Sequence, residues 1–153
     1  MGIEHPTEPD LHWLRQAIEL SRRCTPSTSA FSVGAMIVDV DGTLVADGWS
    51  RRDDPHEHAE EAALTRAGTD PRLATATIYS SLEPCSARAS RSRTCAELIL
   101  ASGLRRVVFA WREPEIFVDC EGAERLRDAG LTVVEVPSLA PLVRKVNAHL
   151  LGA

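Results

Sequence analysis

The sequence predicts an α/β chain, a three-layer α/β/α sandwich built around a mixed five-stranded sheet. Three observations carry that expectation. Helical and strand patterns alternate in the order αββαβαβαβα. A hairpin signal, Asp41-Gly42, joins the first two strands. Two later strands are continuous apolar runs, as strands covered on both faces tend to be. Strand, helix, strand at short spacing implies parallel neighbours joined by a right-handed crossover. An antiparallel hairpin therefore merges with a mostly parallel sheet.

Each element has its own warrant. Residues 11–23 place Leu11, Leu14, Ala17, Ile18 and Ser21 on one helical face, with Trp13 beside it. Asp10 is expected to cap that helix, with Pro9 ahead of it. The stretch 24–29 is a loop by composition, and Cys24 within it is expected to be a buried, inert thiol. Residues 31–40 are rich in Val and Ile, with Gly34 allowing close backbone approach. After the Asp41-Gly42 turn, residues 43–49 return antiparallel. A charged loop, 51–55, delivers the chain to His58, which opens an Ala-rich helix ending at Gly68. Residues 76–81 form a short strand, and Cys95 starts a helix closed by Gly103. Strand 105–111, helix 122–129, strand 131–136 and a last helix from Pro137 or Pro141 to about Leu151 complete the order.

Composition bounds the function. At 153 residues, 44 % hydrophobic and 25 % charged, the chain fits one globular domain, with residues 1–9 expected to be flexible. It lacks a run of about 18 apolar residues and a signal-like start, so no membrane association is expected. A net charge of −5 disfavours a broad nucleic-acid surface. Four cysteines without a secretory signal point to a reducing, cytoplasmic setting in which metal binding outranks disulfides.

The chemistry concentrates in two stretches. His58-Ala59-Glu60 opens one predicted helix; Pro84-Cys85 follows a strand end, and Cys95 opens another helix. Open α/β sheets gather their sites at such carboxyl ends and helix starts. One imidazole and two thiolates suit zinc, with a fourth position left open. Glu60 lies two residues beyond His58, close enough to exchange a proton with water there without ligating. Histidine-x-glutamate followed by proline-cysteine and a second cysteine is the signature of zinc deaminases, in which the glutamate is the general acid/base. Nine residues separate Cys85 from Cys95 here, against two in that signature. Singly, His58 would be an ordinary histidine, Glu60 and Glu61 ordinary first-turn acids and the cysteines buried thiols. Their combination is what gives the signal. Cys120 has no partner motif.

The chain resembles the cytidine and deoxycytidylate deaminase superfamily along nearly its whole length. Residues 79–86, Cys95-Ala96-Glu97-Leu98-Ile99 and residues 103–108 are similar to the deaminase domain of the bifunctional riboflavin-pathway enzyme, as is the segment from Gly122 through Val136. Phe31-Ser32-Val33-Gly34-Ala35 is similar to the early substrate strand of cytidine deaminases, whereas residues 48–51 and 54–60 resemble tRNA adenosine deaminases. The resemblance implies the fold of the cytidine deaminase type and zinc on His58, Cys85 and Cys95, with Glu60 as proton shuttle. It also implies substrate contacts from Ala59, Ser81, Glu83 and Ser50. Two family asparagines are replaced, by Ala30 and Ser50, which removes two bifunctional amides. Arg88, Arg91 and Arg93, between the cysteines, are expected to meet a substrate phosphate or carboxylate through bidentate guanidinium contacts.

The expected activity is hydrolytic removal of the exocyclic amino group of a free pyrimidine nucleoside or nucleotide, closest to the diaminohydroxyphosphoribosylaminopyrimidine deaminase step of riboflavin biosynthesis. Alternatives are a cytidine or dCMP deaminase, a tRNA adenosine deaminase and a non-catalytic zinc-stabilised interaction module. The acidic charge and the long loop between the cysteines weigh against the tRNA reading. The spare carboxylate of Glu60 weighs against the module, since a structural site closes its fourth position. No reductase domain is expected, and the resemblance implies a homodimer or homotetramer.

Overall fold

The computed structural model describes residues 5–85, 93–112 and 121–151. The elements follow the predicted order: α1 (Glu8–Leu20), β1 (Gly34–Val38), β2 (Leu44–Trp49), α2 (Ala59–Ala67), β3 (Thr77–Leu82), α3 (Cys95–Ser102), β4 (Arg106–Trp111), α4 (Gly122–Asp128), β5 (Thr132–Glu135) and α5 (Ala140–Val146). The strands lie side by side as β2-β1-β3-β4-β5. β1 pairs antiparallel with β2 and with β3, while β3, β4 and β5 run parallel.

Alternation along the strands sorts the core into two layers. Ile37, Ile78, Val107 and Phe109 face Ala59 and Ala63 of α2, Ala96 and Ile99 of α3, and Ala123 and Leu126 of α4. Val38, Tyr79, Val108 and Ala110 face Leu14, Ala17 and Ile18 of α1 and Val143 of α5. Each fully buried Leu, Ile or Phe contributes about 1.5–3 kcal/mol relative to exposure, so both faces of the sheet are strongly specified. Gly34 fits the prediction of a close approach. A Cβ there would sit 2.0 Å from the carbonyl oxygen of Ala17, so α1 can lie on β1 only over a glycine.

Several boundaries differ from the sequence reading, most by one or two residues and some by more. α1 begins at Glu8, not residue 11, because Thr7 is its cap. Thr7 Oγ1 accepts from the Asp10 amide at 3.2 Å, and the Thr7 amide donates to the Asp10 carboxylate at 2.9 Å. Asp10 is therefore a first-turn residue, Pro9 lies inside that turn, and the last turn, Ser21–Arg23, tightens to a 3₁₀ helix. β1 begins at Gly34, the first residue paired with β2, and residues 31–33 are held mostly by side chains, with one backbone bond from the Ser50 amide to the Val33 carbonyl. The last helix is interrupted at Asn147, with 3₁₀ turns at Pro137–Leu139 and Ala148–Leu150. A further 3₁₀ turn, Pro71–Ala74, leads into β3.

At one end of the sheet a buried ion pair fastens α1. The Asp10 carboxylate accepts two bonds from Arg106, the first residue of β4, at 2.8 and 2.7 Å, and one from the Tyr79 hydroxyl at 2.9 Å. Burial alone would raise the Asp10 carboxyl, but Arg106, the Thr7 amide and the Tyr79 hydroxyl outweigh it and hold it down at about 2. The opposite, carboxyl end of the parallel strands carries the candidate site.

Candidate metal and catalytic centre

Three backbone features bring the site together. His58 caps α2 in extended conformation, Cys95 is the first residue of α3, and Cys85 lies three residues beyond the end of β3. A Cβ on Gly48 in β2 would come within 2.6 Å of the Ala63 amide and 2.7 Å of the Ala59 carbonyl, so the glycine lets α2 settle directly on the sheet. Gly122 does the same for the cysteine loop. Its Cβ would fall 1.7 Å from the Pro84 carbonyl oxygen, so the start of α4 presses on the peptide that leads into Cys85. The sequence marks Gly122 only as a helix start; its contact with Pro84 is a tertiary fact.

One ligand atom from each of His58, Cys85 and Cys95 lies within 4.8 Å of the others. His58 Nδ1 is 3.2 Å from Cys95 Sγ and 3.6 Å from Cys85 Sγ. Cys85 also caps α3, accepting from the Cys95 amide at its sulfur (3.3 Å) and from the Ala96 amide at its carbonyl (3.0 Å). Thr94 completes the cap: its hydroxyl accepts from the Glu97 amide at 3.2 Å and its carbonyl from the Leu98 amide at 3.0 Å. The helix start thus directs one amide donor, that of Cys95, at a sulfur. The hydrogen bond from the Cys95 side chain is the largest influence on the Cys85 thiol, and the Cys95 amide adds the smallest. Burial opposes both, and the hydrogen bond and charge of His58 add to them, pushing the thiol down to about 4. A depressed thiol, a second buried cysteine and an imidazole nitrogen in one cluster form the donor set zinc prefers.

Glu60 stands in the first turn of α2, two residues beyond His58, and is 4 % exposed. It is not the solvated first-turn acid that the sequence alone would also allow. Ala59, between them, is fully buried and packs into the core shared by α2 and the sheet.

The remaining predicted residues fall in several places. Ser81 Oγ accepts from the Gly34 amide at 3.1 Å, and Ser50 Oγ accepts from the Val33 amide at 3.1 Å. Both side chains are buried and tie the segment before β1 to the strand ends around the cluster. The buried Glu83 carboxylate accepts from the Ala123 amide at 2.9 Å and lies 3.7 Å from Arg112. It grips the start of α4 at the point where Gly122 meets Pro84. Arg93 is exposed, two residues before Cys95. Arg88, Arg91 and Cys120 lie outside the described residues. Cys24 is buried as expected, its thiol donating to the Val33 carbonyl at 3.5 Å. Ala30 presents its amide to the Ser27 hydroxyl at 3.1 Å. Sequence reasoning did not single out Arg51 or Asn147, which hold the rim of this end of the sheet.

The chain is similar to known proteins. The family model described as the cytidine and deoxycytidylate deaminase zinc-binding region matches residues 7–111. A Schizosaccharomyces pombe protein named diaminohydroxyphosphoribosylamino-pyrimidine deaminase is 39 % identical over 126 residues, covering 80 % of this chain and 31 % of that protein. The Escherichia coli riboflavin biosynthesis protein RibD is 36 % identical over 125 residues, covering 81 % of this chain and 33 % of RibD. Among solved structures, Acinetobacter baumannii RibD superposes with a TM-score of 0.77 at 32 % identity, over 95 % of this chain and 40 % of that one. The chain spans about a third of the length of these curated relatives.

Proposed function

The chain belongs to the cytidine and deoxycytidylate deaminase zinc-binding family, and from that premise we propose that it is a zinc-dependent hydrolytic deaminase of a free pyrimidine nucleotide or nucleoside. The substrate we favour is the diaminohydroxyphosphoribosylaminopyrimidine for which the S. pombe relative is named. The observation that carries the reading is the cluster itself: one imidazole and two thiols within 4.8 Å at two helix starts, with a buried carboxyl on the adjoining turn.

His58, Cys85 and Cys95 would hold the zinc. When bound, zinc supplies Lewis acidity and makes water a nucleophile near neutral pH. The chain's residues do the rest. The Glu60 carboxylate takes a proton from the attacking water and delivers it to the ring nitrogen beside the amino-bearing carbon. After the C–O bond has formed, Glu60 carries the second proton to the departing amine. The C–N bond then breaks, ammonia leaves and the ring keeps the oxygen. The Cys95 amide at the start of α3 stabilises negative charge on Cys85 throughout. Arg88, Arg91 and Arg93 would receive the substrate's anion. The same proposal includes a homodimer or homotetramer, which sedimentation would report, and a cytoplasmic location. The buried free thiols Cys24, Cys85 and Cys95 suit a reducing compartment.

Ammonia release by the purified, zinc-loaded protein, measured over a panel of aminopyrimidine nucleosides and nucleotides, tests the reading. Turnover of the phosphoribosylated diaminopyrimidine ahead of cytidine and dCMP is expected. Zinc bound without ammonia from any of them would overturn it.

A further inference from the structure

The segment entering β1 is held in an unusual way. Phe31, Ser32, Val33 and Gly34 follow one another, and each is tied by a side chain from elsewhere in the fold. Arg51 Nη1 donates to the Phe31 carbonyl at 3.1 Å. Asn147 Oδ1 accepts from the Ser32 amide at 2.7 Å, and its Nδ2 donates to the Ser32 carbonyl at 3.2 Å. Ser50 binds both polar groups of Val33, its hydroxyl accepting from the amide and its own amide donating to the carbonyl at 3.0 Å. Ser81 takes the Gly34 amide. Loop backbone usually runs over the surface and meets water, whereas residues 31–33 are buried and must find partners within the protein.

The two outer anchors are the most constrained. Asn147 is fully buried and also donates to the Val143 carbonyl at 3.1 Å, so the C-terminal helix ends on the same side chain that grips Ser32. Arg51 has φ 61, and among the described residues it alone, other than glycines, has positive φ. That conformation is disfavoured for a side chain of its size and persists only where surrounding contacts fix it. The contacts are present: its guanidinium also donates to the Thr25 carbonyl at 2.7 and 3.1 Å and to the Ser32 hydroxyl at 3.2 Å. Its amide donates to the Glu57 carbonyl at 2.8 Å, one residue before His58.

These bonds join the segment to the elements that carry the cluster. Arg51 leads into His58, and Ser81 stands four residues before Cys85. The Phe31 ring meets Trp111, the last residue of β4, edge-on at 5.6 Å, and the Trp111 carbonyl accepts from the Glu83 amide at 2.9 Å. Because Ala35 pairs with Ser80 and Gly34 with Trp49, residues 31–33 lie at the carboxyl end of β3, on the rim of the site.

We infer that Arg51 and Asn147 are positioning residues that hold residues 31–33 as a prebuilt wall of the substrate pocket, so that they govern substrate capture rather than zinc binding or proton transfer. This inference rests on the deaminase reading for its substrate. The rigidity it claims does not depend on that reading. A wall fixed before binding loses no ordering entropy when substrate arrives.

Arg51→Gly separates the two roles of this residue, since glycine relieves the backbone strain while deleting the guanidinium. Asn147→Ala is the companion change, and Arg51→Lys keeps charge without the fork. Hydrogen exchange and steady-state kinetics are measured on the zinc-loaded proteins. In Arg51→Gly, amide protection of residues 31–34 is expected to fall about tenfold, with that of β3 and α3 unchanged. KM should rise about tenfold while kcat stays within about threefold, because the lost contacts serve binding. Arg51→Lys should fall between Arg51→Gly and the wild type, and Asn147→Ala, if it folds, should match Arg51→Gly. Unchanged exchange at residues 31–34 in Arg51→Gly would overturn the inference. So would a fall in kcat or zinc content with KM unmoved. If the wild type releases no ammonia from any aminopyrimidine, the deaminase reading fails, and the exchange measurement by itself decides whether the wall is held as described.

Discussion

The two ends of the sheet bury charge in opposite ways. At the amino end of β4, the Asp10 carboxylate meets Arg106 twice, the Tyr79 hydroxyl and the Thr7 amide, so its charge is balanced within the protein. At the carboxyl end of β3, two sulfurs and an imidazole nitrogen converge, and the Cys95 thiol and the His58 ring push the Cys85 thiol toward its anion. A network of matched opposites is complete and serves stability. A cluster of metal-type donors is the kind of set a cation completes, and that end of the molecule is where the proposed chemistry belongs. The difference separates a fastening from a site without reference to any relative.

Substitutions at the two ends should therefore fail differently. The largest effect is at the open end. Cys95→Ala removes one of three donors, and bound zinc, read by atomic emission, should fall from about one equivalent to near none because two protein ligands hold it poorly. The closed end should lose stability and nothing else. Asp10→Ala should reduce unfolding free energy in denaturant titration by about 2–4 kcal/mol, near the range for breaking a buried pair but tempered by the partial exposure of Arg106. Zinc content and kcat of the folded fraction should stay at wild-type values. Equal loss of zinc in both variants would erase the distinction.

Acid sharpens the same comparison. The folded-state pKa of Asp10 is depressed, from 3.8 to about 2. Its contribution is therefore fully present above about pH 4 and is lost as pH falls through about 2, an amount of about 2 kcal/mol. Wild type should show this acid limb, and Asp10→Asn should flatten it. The smallest effect belongs to Tyr79→Phe, which deletes one of the bonds to Asp10. It should cost about 1 kcal/mol by thermal unfolding and leave kcat/KM alone.

How much of this could be read in advance depended on how local each cause was. α3 starts at Cys95 and stops before Gly103, as predicted, because cap and terminator lie within its own few residues. The start of α1 was misjudged through an equally local feature. Thr7 and Asp10 form a reciprocal cap three residues apart, so the acid sits inside the helix rather than before it. The convergence of His58, Cys85 and Cys95 was legible because spacing and residue type alone restrict what such a set can do. The bonds of Ser50, Ser81 and Glu83 were not legible: motif position singled these residues out, but their partners come from the segment before β1, from β1 and from α4. Asn147 is the extreme case, since its partner Ser32 is 115 residues away and no periodicity or turn signal marks the pair.

The central claim is that the open cluster works with Glu60 as its proton carrier. Glu60→Gln keeps the size of the side chain and removes its basicity. Ammonia release and zinc content, measured on one preparation of this variant beside the wild type, test the claim most directly. The account predicts about one zinc per chain in both proteins and a fall in kcat of about 10²–10⁴-fold in the variant. A zinc-loaded Glu60→Gln protein that deaminates at the wild-type rate would contradict it.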